Sequence, residues 1–333
     1  MASTDITGPR RETPRPPSDT PERTEAHTTR PARPPTGARR ENRLSGHGWP
    51  ALLFLAPFLV MYLLFIVGPA FYGLVMSFFH TSMVAPDLGE FAGFANYAEA
   101  LSSSDFWSSL WHTIWFTILT TPPLIVLALV FALLAERARR ARWFFRLAFF
   151  LPYILPSAVV ALIWIWMYTP ELGLLSRAVT SLGFAEPDWL GDPDFAMVSL
   201  AITTVWWTLG FNFVLYLAGL QEIPRELYEA SAMDGAGPWQ QIRLITVPLL
   251  ARTTSLVVVL QVIASLKVFD QMYIMTQGGP NFATRSLLQY VFDIGFTDFR
   301  SGAAAAASTL FFVVVLAVSA FWLVMTRRQE PEL

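Results

Sequence analysis

Residues able to do chemistry gather in two places along this 333-residue chain. The first is the polar stretch 225–250, RELYEASAMDGAGPWQQIRLITVPLL, set between two long apolar runs. Pro224 suits a first helical turn, where a missing N–H costs nothing. Gly235, Ala236 and Gly237 interrupt, and Pro238 opens a second short helix. Gly235 can take the positive φ that a sharp reversal needs. The chemistry of such a helix-turn-helix is recognition. Leu227, Ala230, Ser231 and Asp234 share one face at the spacing by which a helix fills a groove. Ala230 and Ser231 are small enough for close approach, and Glu229 offers a charge. The plainer readings are a connecting loop between two spans and, for Glu229, an i,i+4 pair with Arg225 worth a few tenths of a kcal/mol.

The second place is an apolar run that holds Lys267 and Asp270. With Asn212, Gln261 and Ser265 they are polar groups at membrane depth, where burial is costly and function is the default expectation. Lys267 and Asp270 stand three apart, so mutual neutralisation is the competing reading. Trp206, Trp207, Tyr273 and Tyr290 are aromatic faces on which a sugar ring can stack. Trp164, Trp166 and Tyr168 read more simply as an interfacial belt.

Much chemistry is excluded. There is no cysteine, hence no disulfide, thiolate metal site or thiol catalysis. His27, His47, His80 and His112 are scattered without metal-ligand spacing, so no metal or cofactor is expected. Lys267 is the only lysine, so no Gly-x-x-x-x-Gly-Lys-[Ser/Thr] loop for ATP phosphates exists. A net charge of −2 gives no reason to expect nucleic acid.

The positioning elements follow from composition. Only 14% of residues are charged and 54% are hydrophobic. A soluble domain has about 25% charged residues, so a polytopic membrane protein is expected. Six apolar runs occur at 51–79, 106–135, 147–169, 195–220, about 249–274 and 302–326. Each is long enough for a hydrocarbon core that takes roughly 20 helical residues. Backbone groups in lipid must pair within the segment, and the runs lack barrel alternation, so helices are predicted. Pro57, Pro69, Pro122, Pro123, Pro152 and Pro156 fall within them, as kinks or as prolines that membrane helices tolerate. The run 301–308, SGAAAAAS, allows close helix packing.

Arginines fix the orientation. The tail 1–48 has nine, and Arg137, Arg139, Arg140, Arg142 and Arg146 fill one loop. Arg225 and Arg243 lie in the next basic loop, Arg327 and Arg328 at the end. The loop 80–105 has none and 170–194 has only Arg177. Six spans put every basic segment on one side, with both termini and the 225–248 loop cytoplasmic. The tail, rich in Pro, Arg, Thr and Glu, is expected to be disordered.

The segment Glu229-Ala230-Ser231, Asp234-Gly235-Ala236, Ile245-Thr246-Val247-Pro248 resembles the EAA loop of the permease subunits of bacterial ABC importers. Ser231 stands for a second Ala, Val247 for Leu, and Ile242 where an aromatic residue is usual. A second resemblance, to sugar-type permeases of the maltose and glycerol-phosphate kind, lies in Phe269-Asp270, Thr276, Gly278-Gly279-Pro280 and Thr284. Gly93-Phe94-Ala95-Asn96-Tyr97 and Phe150-Leu151-Pro152 extend it, over roughly residues 50–326.

The resemblance implies an all-α membrane protein of the type I ABC importer permease fold, with six transmembrane helices. The expected organisation is a cytoplasmic tail (1–48), a first helix and external loop (49–107), a permease core of five helices (108–322) with a coupling loop (222–248), and a cytoplasmic end (323–333). Glu229, Ala230, Ser231, Asp234, Gly235, Ala236 and Pro248 would couple to an ATPase subunit dimer. Asn212, Gln261, Ser265, Lys267, Asp270, Tyr273 and Tyr290 are pathway candidates for a carbohydrate. A second homologous permease, an extracytoplasmic solute-binding protein and membrane lipid complete the implied partners. A permease for another solute class and an ion-coupled secondary transporter stay open, although a lone transporter should show several acids deep in its spans. An intramembrane enzyme would need a paired His, Asp or Ser/Lys cluster, and none is found.

Overall fold

The computed structural model describes residues 48–85, 87–138 and 142–327. Most of the expected tail, part of the arginine-rich loop and the last six residues lie outside the described residues. The chain divides into two units, 1–58 and 59–333. The described part of the first is helical from Gly48 onward, and the second carries the rest.

Helix α1 (Gly48–Tyr62) passes through one π turn (Leu63–Val67) into α2 (Gly68–Met76). An external segment follows with α3 (Ala95–Ser102), then α4 (Ser104–Arg137). Next come α5 (Arg142–Ile154), α6 (Ser157–Tyr168), α7 (Leu174–Ser181) and α8 (Pro193–Glu222). The polar turn comprises α9 (Arg225–Met233), α10 (Pro238–Gln241), a π turn (Ile242–Thr246) and α11 (Val247–Leu249). The chain ends with α12 (Ala251–Leu266), α13 (Asp270–Thr276), α14 (Leu287–Phe292) with its π turn (Asp293–Thr297), and α15 (Ser301–Arg327). Among the described residues the only β pairing is an isolated bridge between Phe79 and Phe91.

Four helical stretches are long and apolar enough to span unbroken: Leu53–Met76, Ser104–Arg137, Pro193–Glu222 and Ser301–Trp322. The other two expected spans are bent. The 147–169 run is not one straight helix: α5 and α6 meet at 99°, with Pro156 at the joint. Pro156 lacks the N–H a continuous helix would need there. Pro57, Pro122, Pro123 and Pro152 sit inside helices. The fifth run bends by 62° between Leu249 and Ala251, and its helix stops at Leu266. The expected continuation to residue 274 is a separate helix, α13.

The core is made where α4, α8 and α12 face one another. Leu124, Ala128, Phe213, Leu217, Leu250 and Val257 are buried together there. A second cluster joins Phe116, Trp164, Tyr168, Leu200 and Met272. Gly210 lets α8 meet α5 backbone to backbone, since a Cβ there would stand 2.0 Å from the Phe149 carbonyl oxygen. The small-residue run opens α15, with Ala303, Ala304, Ala306 and Ala307 buried. Helix α2 contributes nothing to this core: none of Gly68–Met76 is buried.

On the outer side the Asn96 and Tyr97 side chains fasten the end of the first span. Asn96 Nδ2 donates to the Ser77 and Phe79 carbonyls, both at 2.9 Å, and the Ser77 and Tyr97 hydroxyls are 2.6 Å apart. Glu99 of α3 pairs with Arg300 at 2.6 Å. The hydrogen bond from Arg300 holds the Glu99 carboxyl below its ordinary value of 4.5. A depressed carboxylate stabilises the fold above the unfolded value and loses that contribution as pH falls through the folded one. Glu99→Gln should therefore lower thermal stability slightly at pH 7 and converge with the wild type as pH falls below about 4.5, which flattens the acid limb. The effect is small because both side chains are half exposed. An unchanged acid limb in a melting series of the purified variant would refute it.

Candidate functional site

The polar turn 225–249 forms as its residues require. Pro224 precedes α9 in extended conformation, and Gly235 has φ +83°. Helix α9 closes in a Schellman turn: Gly235 N–H donates to the Ala232 carbonyl at 3.1 Å and Ala236 N–H to that of Ser231 at 2.9 Å. Pro238 then starts α10, and the Gly237 N–H is held by Gln240 Oε1 at 2.8 Å.

The outward face of α9 is Leu227, Ala230 and Asp234, with Met233 and Trp239 nearby at 86% and 74% exposure. Ser231 does not belong to it. Its hydroxyl donates to the Tyr228 carbonyl at 2.9 Å and accepts from Gln241 Nε2 at 3.0 Å. A serine's short side chain folds back on its own turn, which spacing alone does not reveal. Glu229 is exposed and forms no ion pair with Arg225 among the described residues. Asp234 is exposed at the C-terminus of α9, where the helix dipole opposes a carboxylate. Ala236 is half buried in the turn, and Pro248 lies in α11, just before the 62° bend.

A cavity of about 280 Å³ opens where the bent spans meet. Ser157 of α6, Thr204, Trp207 and Thr208 of α8, Gln261 and Ser265 of α12, and the linker Lys267–Phe269 line it with Asp270 and Gln271. Helix breaks are tolerated at membrane depth where they line a cavity. The orphan backbone groups find partners: Trp207 Nε1 donates to the Leu155 carbonyl at 3.2 Å, beside Pro156. Buried Gln271 accepts from Thr204 Oγ1 at 2.7 Å and donates to the Leu200 carbonyl at 3.1 Å, tying α13 to α8. Asn212 lies behind the lining and donates to Gln261 Oε1 at 3.1 Å.

The competing reading of Lys267 and Asp270, mutual neutralisation, is not seen. Both are exposed, they form no ion pair, and Asp270 accepts from Ser157 Oγ at 3.3 Å. Because the helix ends at Leu266, the three-residue spacing does not put them on one face. Tyr273 stands beside the lining, stacked on Phe269 with ring centroids 5.4 Å apart. Tyr290 does not line this cavity. It is buried against Phe106, bonded to Ser103 Oγ at 3.4 Å, with the Arg285 guanidinium over its ring. Ser157, Thr204 and Thr208 escaped the sequence reading, since hydroxyls inside apolar helices usually bond their own backbone.

Outside the cavity the Gly-Gly-Pro segment closes a tight loop. Thr276 and Thr284 hydroxyls are 2.7 Å apart, and Thr284 Oγ1 donates to the Gly279 carbonyl at 2.7 Å. Two residues of the second motif thus meet in space. Among the described residues no group of His, Cys, Asp and Glu is arranged to hold a metal ion.

Known proteins share this layout. A sulfoquinovosyl glycerol transport system permease protein, SmoG, of Agrobacterium fabrum is 34% identical over 256 residues, 76% of this chain and 83% of its own. A trehalose/maltose transport system permease protein, MalF, of Thermococcus litoralis is 34% identical over 253 residues, 76% of this chain and 85% of its own. The crystal structure of a bacterial alginate ABC transporter in complex with alginate pentasaccharide-bound periplasmic protein contains a chain of the same fold. It superposes with a TM-score of 0.72 at 24% identity, covering 84% of this chain and 94% of that one. The expected all-α, type I importer permease fold is borne out. Residues 124–329 match the family of binding-protein-dependent transport system inner membrane components, and the chain belongs to that family of multi-pass membrane permeases.

Proposed function

We propose that this chain is one membrane subunit of an ATP-driven importer for a carbohydrate, with ATP hydrolysed by a separate subunit. The observation that carries this is the pairing of two features in one chain. A hydrogen-bonded helix-turn-helix presents Leu227, Glu229, Ala230 and Asp234 outward, and a cavity that gathers hydroxyls, amides and aromatic rings sits at the broken spans. The unpaired carboxylates of Glu229 and Asp234, the latter against its helix dipole, suit basic groups of an ATPase dimer seated on the turn. Gly235 and Ala236 shape that turn, Ser231 braces it from within, and Pro248 marks its exit toward α12.

Gln261, Ser265, Lys267 and Asp270 would face the solute, with Trp207 and Phe269 as stacking surfaces. Asn212 supports Gln261, and Tyr273 supports Phe269. Hydroxyls, amides and ring faces together are the groups that bind a polyhydroxylated ligand. The relatives named above act on sugars or on an acidic polysaccharide, which favours the same solute class. The unburied helix α2 suits a second, homologous permease or lipid. A solute-binding protein would deliver cargo to the outer loops.

The test is uptake into proteoliposomes. This chain, reconstituted with its ATPase, second permease and binding protein, should accumulate the sugar that the binding protein captures, and only with ATP. Solute flux through this chain alone, without ATP, would overturn the reading in favour of a secondary transporter.

A further inference from the structure

The two ends of α9 are attached very differently. Toward α8 the joint is Ile223 and Pro224, both extended, with ψ of 120° and 135°. Among the described residues no side-chain hydrogen bond joins α9 to α8. Toward α12 the helix is clamped. Tyr228 OH lies 2.9 Å from Thr246 Oγ1, and Thr246 Oγ1 donates to the Gln241 carbonyl at 3.3 Å. Tyr228 OH is then the donor of the first bond. Gln241 Nε2 bridges back to the Tyr228 carbonyl at 3.1 Å and to Ser231 Oγ at 3.0 Å. Thr246 is buried, at 2% exposure.

Beyond the clamp the hydrogen bonding runs on into α12. Leu250 N–H donates to the Thr246 carbonyl at 3.0 Å and Thr254 N–H to that of Leu250 at 2.7 Å, so the 62° bend stays bonded. Helix α12 has 16 residues, about 24 Å at 1.5 Å each. It carries Gln261 and Ser265 into the cavity, then releases at Lys267. Helix α13, on the far side of that release, is held to α8 by Gln271.

We propose that Tyr228, Gln241 and Thr246 are positioning residues that fix the coupling helix to the head of α12. A push on α9 then reaches the cavity wall at Gln261 and Ser265, while Ile223-Pro224 gives way as the joint to α8. This rests on the importer reading above and adds to it which span receives the stroke. The clamp is not the surface that meets the ATPase: its groups point inward, behind the exposed face of Leu227, Ala230 and Asp234.

Its test uses the assembled importer in proteoliposomes. Tyr228→Phe with Thr246→Val removes both partners of one bond with little change of shape, so folding should be nearly unaffected. Gln241→Met removes the bridge. The triple variant should bind the ATPase and hydrolyse ATP near the wild-type rate. Solute moved per ATP should fall by about fivefold or more, since the loss of even one bond of about 1 kcal/mol is worth that factor. Restoring the hydroxyls, as Tyr228 with Thr246→Ser, should return the ratio. A merely structural role would lower binding, hydrolysis and uptake together, and that result overturns the proposal. So does a wild-type ratio in the triple variant. If the wild-type chain itself brings down no ATPase, the importer reading fails instead, whatever the clamp does.

Discussion

Gly235→Val is expected to abolish uptake while the chain still inserts and folds. The reason is conformational and not steric. Gly235 sits at φ +83°, yet a Cβ added there meets nothing within 4 Å. An L-residue in this region costs roughly 1–2 kcal/mol, and a β-branched one more. The turn would leave the Schellman geometry, and α9 would lose its angle to α10. If only the native turn fits the ATPase, a penalty above about 2 kcal/mol lowers the competent population by a factor of tens. A graded series checks the cause. Gly235→Asn should keep most uptake, because asparagine visits positive φ readily. Gly235→Ala should fall between asparagine and valine. Uptake of the valine variant at the wild-type level would remove the turn from the mechanism. Equal damage by asparagine and valine would point to bulk, contrary to the open space around the residue.

Gly235 was legible because one residue type meets one backbone need. The unbroken spans were legible for a similar reason: transfer of apolar side chains sums along the chain, and 106–135, 195–220 and 302–326 fall within two residues of helices Ser104–Arg137, Pro193–Glu222 and Ser301–Arg327. Bending does not sum in that way. Pro152 and Pro156 lie four apart in the same run, yet only Pro156 sits at the 99° joint. What separates them is tertiary: Trp207 satisfies a carbonyl freed at the joint. The end of α12 at Lys267 was equally hidden, and it decided the fate of the Lys267 and Asp270 pairing. Tyr290 lies in the core and outside the cavity lining, a placement that an aromatic residue's type alone does not reveal. The outer motif shows the opposite case. Asn96 and Tyr97 were noticed only as a pattern, and their hydrogen bonds to Ser77 and Phe79 supply its physical reason.

Gly210→Ala should do the greatest harm to stability, although it adds a single methyl group. A Cβ at Gly210 would lie 2.0 Å from the Phe149 oxygen and 2.5 Å from its carbonyl carbon. These are backbone atoms of α5, so no rotamer change can make room, and the two helices must part. Overpacking of this kind costs about 3 kcal/mol or more when backbone has to move. The displacement would reach the cavity, because α5 leads directly into the Pro156 joint. Tyr153 stacks on Phe211 at 5.2 Å, one residue from Gly210 in α8, and Trp207 holds the Leu155 carbonyl. Melting temperature and uptake should therefore fall together, unlike Gly235→Val, which spares the fold. Gly73→Ala is the control: it is helical, and its added methyl meets nothing within 4 Å. That variant should melt at or slightly above the wild-type temperature, since alanine favours the helix by roughly 1 kcal/mol over glycine. A Gly210→Ala protein that melts with the wild type and transports normally would show that α5 and α8 do not meet as closely as this packing requires.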